Sequence, residues 1–475
     1  MDVSPNLNEN DNQPLYIQLY EYFKKQIQVS GLSASTRLPS IRRLSDDLKI
    51  SKTTVQMAYQ QLLAEGYIES RERSGFYVIK LEEESFGSIL PAQPLASFKT
   101  EVGGKQTRIL YDFYMSNIDF NHFPFDSWRK CSNQCISRDH KDLLSYGDKQ
   151  GERGLRYELS KYLRRARGVN CSEEQLVIGS GTQVVLQIIC QLTGIDGKKV
   201  AMEDPGYPGV RNVFQHFRFE IEPIPLEEDG IHIDALSKSG AKMVYVTPSH
   251  QYPMGMVMPI AKRMKLLQWA EENGGLIIED DYDGEFRYRG KPIPSLQGLD
   301  AHGNVVYVGT FSKSLLPGIR VSYMVLPERL LNIYKRMLFM YDQTASRFHQ
   351  KALQGFIQSG EWERHIRRMR TIYQKKHTAL LEAIKSIMKT NVTVTGQDAG
   401  LHIVLKVKSD KTADQLVKIA EEAGVKVYST TPMWLKKDSA GDPLILLGFG
   451  GLSLEEISDG IERLNAAWTP YYRHR

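Results

Sequence analysis

Beyond residue 110 the chain repeats one alternation. Short apolar runs rich in β-branched residues, "QLVIG", "KVAME", "MVYVTP", "GLIIEDD", "NVVYVGTF" and "VSYMVLP", are separated by segments with a helical stripe such as "MPIAKRMKLLQWAEENG". Strand-like runs with helices between them predict an α/β domain with a mostly parallel sheet. Such a sheet constrains where chemistry can sit, because ligands bind in the crevice outside the carboxyl ends of its strands. A long helical stretch is expected from about 328 to 388. The last part, including "AGLHIVLKV", "VKVYST" and "PLILLGFG", reads as a small C-terminal α+β subdomain spanning about 370–475.

The first 80 residues follow a different pattern. Leu15, Leu19, Tyr22, Phe23 and Ile27 form a helical stripe behind Pro14, which suits a first turn. Ser40 is placed to cap a short second helix, "SIRRLSDDL", and Ser51 a third. On that third helix Val55, Ala58, Tyr59, Leu62 and Leu63 share one face, and Gly66 ends it. "YIESRERSGFYVI" then alternates around Ser74-Gly75 as a β-hairpin does. Three helices and a hairpin in this order predict a winged helix-turn-helix, a reader of double-stranded DNA. The third helix opens with a polar cluster, Ser51, Lys52, Thr53, Thr54 and Gln56, opposite its apolar face. The hairpin tip carries Arg71 and Arg73 beside Gly75. Three parts are therefore expected: the DNA-binding domain over 1–80, a linker over 81–108 and an effector domain over 109–475.

Charge does not carry that reading. Residues 37–80 hold eight Lys/Arg and five Asp/Glu, a net of 8 − 5 = +3, and the whole 475-residue chain is only +5. No run of 18 or more apolar residues exists, and "MDVSPNLNENDNQ" has no apolar stretch. Neither a membrane span nor a signal peptide is read, and a cytoplasmic protein is expected. Cys131, Cys135, Cys171 and Cys190 are too scattered for a disulfide framework or a metal site.

Three strand ends supply the chemistry. "VIGSGTQ" offers Ser180, Gly181 and Thr182 before a helix, an arrangement of backbone N–H groups that cradles phosphate. "LIIEDDYDGEF" places Asp280 and Tyr282 on one side by alternation, with Asp281 the competing acid. "VGTFSKS" adds Thr310, Ser312 and Lys313, and Arg320 follows seven residues on. A lysine, an acid, a phenol and phosphate binders are the set that pyridoxal 5'-phosphate requires.

Nearly the whole chain resembles the MocR (GabR-like) branch of the GntR-family transcription regulators, in which a winged helix-turn-helix is fused to a fold-type I aminotransferase-like domain. The resemblance rests on "LPSIRRLSDDLKISKTTV", "YGDKQGERGLRYELSKYLRRARGV", "EDPGYPG", "TPSHQYPMG", "EDDYDGEFRY" and "GTFSKSLLPGIRVSY". It implies a homodimer, an operator as partner, and Lys313 as the lysine that carries pyridoxal 5'-phosphate. Asp280 would pair with the ring nitrogen, Tyr282 would bond the phenolic oxygen, and Tyr207 would stack on the ring. Ser180, Gly181, Thr182, Ser312 and Arg320 would hold the phosphate. On the DNA side the family pattern matches Arg42, Lys52, Thr53, Thr54, Gln56 and Gly75. Lys52 and Gln56 are expected at base edges, the threonines and wing arginines at phosphates.

Two departures separate the chain from a working transaminase. The "NPTG" turn of aminotransferases reads "YPMG", with Tyr252 in the asparagine's place, and no arginine lies between Arg370 and Arg463 to hold a substrate carboxylate. The resemblance therefore implies a regulator that senses pyridoxal 5'-phosphate itself or an amine or amino-acid effector. An active aminotransferase with an appended DNA reader is the alternative, and a DNA-binding protein whose second domain only dimerises is a third.

Overall fold

In the computed structural model, the structure describes residues 5, 7–8, 13–29, 32–80, 108–194, 198–288, 293–337, 340, 342–436 and 441–473. The chain divides into two compact units, Met1–Gly104 and Lys105–Arg475. The expected linker falls almost wholly outside the described residues.

In the first unit α1 (Leu15–Gln28), α2 (Ile41–Leu48) and α3 (Lys52–Ala64) precede a hairpin of β1 (Ile68–Arg71) and β2 (Gly75–Val78). The caps are those the sequence offers: Ser40 Oγ accepts from the Arg43 N–H at 3.2 Å and Ser51 Oγ from the Thr54 N–H at 3.0 Å. Leu19, Phe23 and Ile27 of α1 close over Val55, Ala58, Tyr59 and Leu62 of α3, and Ile68 and Val78 of the hairpin complete the core. The hairpin turn sits one residue earlier than expected. Arg71 pairs with Gly75, so Glu72, Arg73 and Ser74 form the tip, with Arg73 at φ 56°.

The second unit begins with β3 (Tyr111–Asp112), α4 (Phe125–Cys135) and α5 (Arg153–Arg167). Its main sheet is built from β4 (Leu176–Gly179), β5 (Lys199–Asp204), β6 (Glu220–Glu227), β7 (Gly230–Ile231), β8 (Met243–Val246), β9 (Leu276–Asp281), β10 (Val305–Thr310) and β11 (Ser322–Val325). The strand order is β4-β11-β10-β9-β8-β5-β6-β7. All six runs read as strands are strands. The pairs from β10 to β6 are parallel, and β11 runs antiparallel to both of its neighbours. β6 has no counterpart among the predicted runs because Pro223 and Pro225 interrupt it. It lies near the sheet edge, where a residue without an N–H is tolerated. Helices α6 (Thr182–Thr193), α7 (Pro208–His216), α8 (Ile233–Lys238), α9 (Ile260–Asn273) and α10 (Leu296–Leu299) fill the crossovers. The central strands are buried along their whole length.

The long helical stretch is three helices, α11 (Glu328–Met337), α12 (Arg347–Gln358) and α13 (Glu361–Ala383). Gly360, at φ 76°, separates the last two. The C-terminal sheet, β12 (Val392–Thr395), β13 (His402–Val407), β15 (Tyr428–Ser429) and β16 (Leu444–Gly448), is ordered β12-β13-β16-β15. Helices α13, α14 (Ala413–Glu422) and α15 (Leu454–Trp468) share its core, which also recruits Phe113, Ile118 and Phe286. β14 (Val425–Lys426) pairs in parallel with β3, so the start of this unit is stitched to its end. All four cysteines are buried and free.

One buried ion pair fixes the loop after β9. Arg167, the last residue of α5, donates from Nε to Asp281 Oδ2 at 2.6 Å and from Nη2 to Ser249 Oγ at 2.7 Å, while the Tyr307 hydroxyl donates to the same Asp281 oxygen at 2.6 Å. Both charged side chains are about 95% buried or more. Removing one partner strands the other, so Arg167→Ala is expected to lower unfolding free energy by about 3–5 kcal/mol. Urea denaturation of the second unit's signal checks this; a loss within about 0.5 kcal/mol would mean the pair is replaceable by water.

Candidate functional site

The carboxyl edge of the main sheet opens into a cavity of about 490 Å³. Register explains why distant residues meet there. Ser322 of β11 lies opposite Gly179 on one side and Thr310 on the other. Because β11 is antiparallel, the residue approaching it, Arg320, arrives at the same edge where β4 and β10 end. Arg320 adopts φ 52°, and its Nη2 donates to Ser180 O at 3.2 Å. Gly181, at φ 107°, opens α6, and a Cβ there would collide with the Arg320 guanidinium. A guanidinium over the free N–H groups of a 12-residue helix makes a seat for an anion.

Of the predicted cofactor residues, Lys313, Asp280, Tyr282, Thr182, Tyr207, Thr310, Ser312 and Arg320 line this cavity. Ser180 and Gly181 lie behind the lining. The Ser180 N–H donates to Thr344 Oγ1 at 3.0 Å, and Ser180 O accepts from Arg320. Thr310 Oγ1 accepts from the Ser322 hydroxyl at 2.8 Å and from the Ser312 N–H at 3.2 Å, which fixes the turn that presents Ser312 and Lys313.

The acids of β9 divide as alternation expects. Asp281 turns to Arg167, whereas Asp280 faces the cavity. Asp280 Oδ2 accepts from the Tyr245 hydroxyl at 2.5 Å, and Oδ1 is buried with no partner among the described residues. Burial raises the Asp280 carboxyl to about 7. Across the cavity the Lys313 ammonium donates to Met115 O, and burial pulls its pKa down to about 8 against the opposing pull of Asp283.

Three tyrosines shape the rest. Tyr207 and Tyr252 meet edge to face with ring centres 5.3 Å apart, and Tyr252 meets Tyr282 in the same way at 6.2 Å. The Tyr282 hydroxyl donates to His250 O at 3.0 Å and lies 3.0 Å from His250 Nδ1. The wall from the C-terminal subdomain is Tyr428, Ser429, Pro432, Met433 and Leu446. Among the described residues lining the cavity, Lys313 and Arg320 are the cations.

Sequence reasoning missed Tyr245 and the pair Tyr114–Met115. Tyr245 had a signal: it lies in "MVYVTP" two residues before Thr247, and both line the cavity. Tyr114 and Met115 had none, because they arrive through the pairing of β3 with β14. Tyr114 then packs on Tyr428 at 5.1 Å.

On the first unit Arg42, Lys52, Thr53 and Gln56 are exposed, and Thr54 is half-buried with its hydroxyl 2.8 Å from Ser51 Oγ. Arg73 projects from the wing tip. Arg71 is also exposed; it pairs with Glu69 at 2.7 Å and its guanidinium lies over the Tyr77 ring at 4.4 Å. Gly75 has φ 110°, and a Cβ there would come within 3.5 Å of the exposed Arg37 side chain, a cation the sequence reading did not select.

Comparison with known proteins agrees with both units. Residues 112–439 match the family described as aminotransferase class I and II, and residues 15–78 the bacterial regulatory proteins of the gntR family. The HTH-type transcriptional regulator YhdI of Bacillus subtilis is 41% identical over 475 residues, covering 99% of each chain. The probable rhizopine catabolism regulatory protein MocR of Rhizobium meliloti is 32% identical over 471 residues, covering 97% of this chain and 95% of its own. Among solved structures, the kynurenine aminotransferase of Pyrococcus horikoshii, determined with PMP, superimposes with a TM-score of 0.70 at 25% identity, covering 77% of this chain and 92% of its own.

Proposed function

Since the chain belongs to the MocR-like branch of the GntR-family transcription regulators, with an aminotransferase class I and II domain behind its winged helix-turn-helix, we propose that the cavity holds pyridoxal 5'-phosphate and that its occupancy by cofactor or amine governs operator binding. The observation that carries this is Asp280 Oδ1. A carboxylate oxygen buried without a donor, across the cavity from a lysine of lowered pKa, fits a group that brings its own cationic N–H and an aldehyde. When bound, that group supplies an aldehyde carbon for a primary amine and a protonated ring nitrogen that withdraws electrons.

The chain's residues then take separate parts. Lys313, more readily neutral than an ordinary lysine because burial lowers its pKa, offers the amine. Asp280 receives the ring N–H, and the cation beside it favours the ionised carboxylate over the neutral form that burial alone promotes. Arg320, Thr182, Ser312 and the N-terminus of α6 bind the phosphate. Tyr207 covers a ring face and Tyr282 meets the phenolic oxygen. Lys52 and Gln56 read base edges, and Arg42, Thr53, Thr54 and Arg73 hold phosphates. Arg71, tied to Glu69 and Tyr77, stiffens the wing. A homodimer on a two-fold operator fits this class of reader.

A sensor reading is favoured over turnover by two features. Tyr252 brings a ring where transaminases bring an amide, and the C-terminal wall brings no guanidinium for a carboxylate. For a sensor, the ligand must favour one arrangement of the reader over another. The test is an absorbance spectrum of the purified chain with added pyridoxal phosphate and then amines, alongside operator binding. Binding that follows the visible band supports the proposal. Sustained conversion of amino donor and 2-oxo acid would establish an enzyme instead.

Lys313 yields a pH prediction. Its neutral form is the nucleophile, and its pKa near 8 lies below the ordinary lysine value. Uptake of pyridoxal phosphate by the apoprotein should therefore accelerate with rising pH and level off near pH 8, falling about tenfold per unit well below it. Stopped-flow absorbance measures this; a rate still climbing tenfold per unit at pH 9 would contradict it. On the DNA side, Lys52→Ala should weaken operator binding roughly 5- to 100-fold and leave the cofactor spectrum intact. A gel-shift titration checks it, and an altered spectrum with unaltered affinity would overturn the assignment.

A further inference from the structure

Beneath the tyrosine wall lies a cluster that the cofactor reading does not use. The His250 and Asp283 side chains are 1% and 2% exposed, with His250 Nδ1 2.9 Å from Asp283 Oδ2. The same Nδ1 lies 3.0 Å from the Tyr282 hydroxyl oxygen. His250 Nε2 is buried without a partner among the described residues. A Cβ on Gly400 would collide with the His250 ring and approach Asp283, so the imidazole is seated directly against backbone. Gly255 and Gly396 close the other side, and a Cβ on Gly255 would come within 3.1 Å of Nε2.

Proton placement follows from those contacts. A buried N–H aimed at no acceptor costs about 1–3 kcal/mol, so the ring N–H of His250 belongs on Nδ1, which faces Asp283, rather than on Nε2. It points at Asp283 Oδ2 and, in the same fork, at the Tyr282 oxygen. A hydroxyl whose oxygen accepts such a bond becomes a stronger donor through its own hydrogen. That hydrogen now rests on His250 O, and an anionic oxygen in the cavity would compete for it.

We propose that Asp283 and His250 are positioning residues that polarise the Tyr282 hydroxyl toward the cavity and so set the acidity of the ligand whose phenolic oxygen it meets. Tyr252, which stands in place of the amide in the "YPMG" turn, packs its ring edge to face against Tyr282. This rests on the reading of the cavity as a pyridoxal phosphate site. The titratable groups around the relay are Asp280 from the end of β9, Tyr288 from the loop after it, Lys313 from the turn after β10, Glu203 from β5, Tyr252, and His402 from β13. The His402 ring is 4.7 Å from that of His250, and its Nε2 bonds Pro253 O at 3.0 Å. Burial lowers the His402 pKa, and the carboxyl in contact with the His250 imidazole is that of Asp283.

The test is a spectrophotometric pH titration of the visible band in the full chain loaded with pyridoxal phosphate. Hydrogen bonding to the phenolic oxygen favours its anionic form and lowers the midpoint. Tyr282→Phe should therefore raise it by about one unit or more, and His250→Phe by at least half as much. In the Tyr282→Phe background, His250→Phe should shift it by less than about 0.2 units, because the relay acts only through that hydroxyl. Asp283→Asn should shift the midpoint in the same direction in the otherwise unchanged chain, and it carries the comparison with Tyr282→Phe if His250→Phe fails to fold. Equal shifts in both backgrounds, or none in either, would overturn the relay while leaving the cofactor site standing. A chain that develops no visible band with pyridoxal phosphate would overturn the cofactor reading and the relay with it.

Discussion

Two adjacent acids at the end of one buried strand organise the second unit. Asp281 points away from the cavity into a pairing with Arg167 and Tyr307, and that contact holds the loop carrying Tyr282 and Asp283. Asp280 points into the cavity with one oxygen bonded to Tyr245 and the other without a partner among the described residues. The pleat forces the division, since neighbours on a strand cannot face the same side. One acid therefore anchors the scaffold and the other is left available for a ligand. Lys313 sits across the cavity, where burial leaves it closer to a neutral amine than an exposed lysine would be.

The sheet brings the remaining parts together through one reversal. Had β11 run parallel, Arg320 would have been delivered to the opposite edge. Its antiparallel course places the guanidinium over the start of α6, and only a glycine at 181 leaves it room. The placement of Arg320 at this end thus depends on topology, on its own left-handed backbone and on a missing Cβ at Gly181 together.

Much of this was legible in the sequence, and the reason is local. Strand-end residues such as Asp280, Thr310, Ser312 and Lys313 follow apolar runs that can form little else, and Ser40 and Ser51 cap helices within three residues of themselves. What was not legible came from contacts distant in the chain. Tyr114 and Met115 reach the cavity only because β3 pairs with β14, some 300 residues on. The restraint of Arg71 by Glu69 and Tyr77 depends on the register of a hairpin whose tip lies one residue earlier than its glycine suggests. β6 was hidden by two prolines that only an edge position excuses.

The chain joins a gntR-family winged helix-turn-helix to an aminotransferase class I and II domain, with Tyr252 in the turn where the aminotransferase pattern has asparagine and no arginine between Arg370 and Arg463. Those departures leave Lys313 and Asp280 as the pair on which the account depends. Reductive trapping tests that pair most directly: borohydride treatment of the pyridoxal-phosphate-loaded chain, digestion, and peptide mass analysis. One phosphopyridoxyl modification is expected, on Lys313. A modification found on other lysines with Lys313 untouched, or none at all, would contradict it.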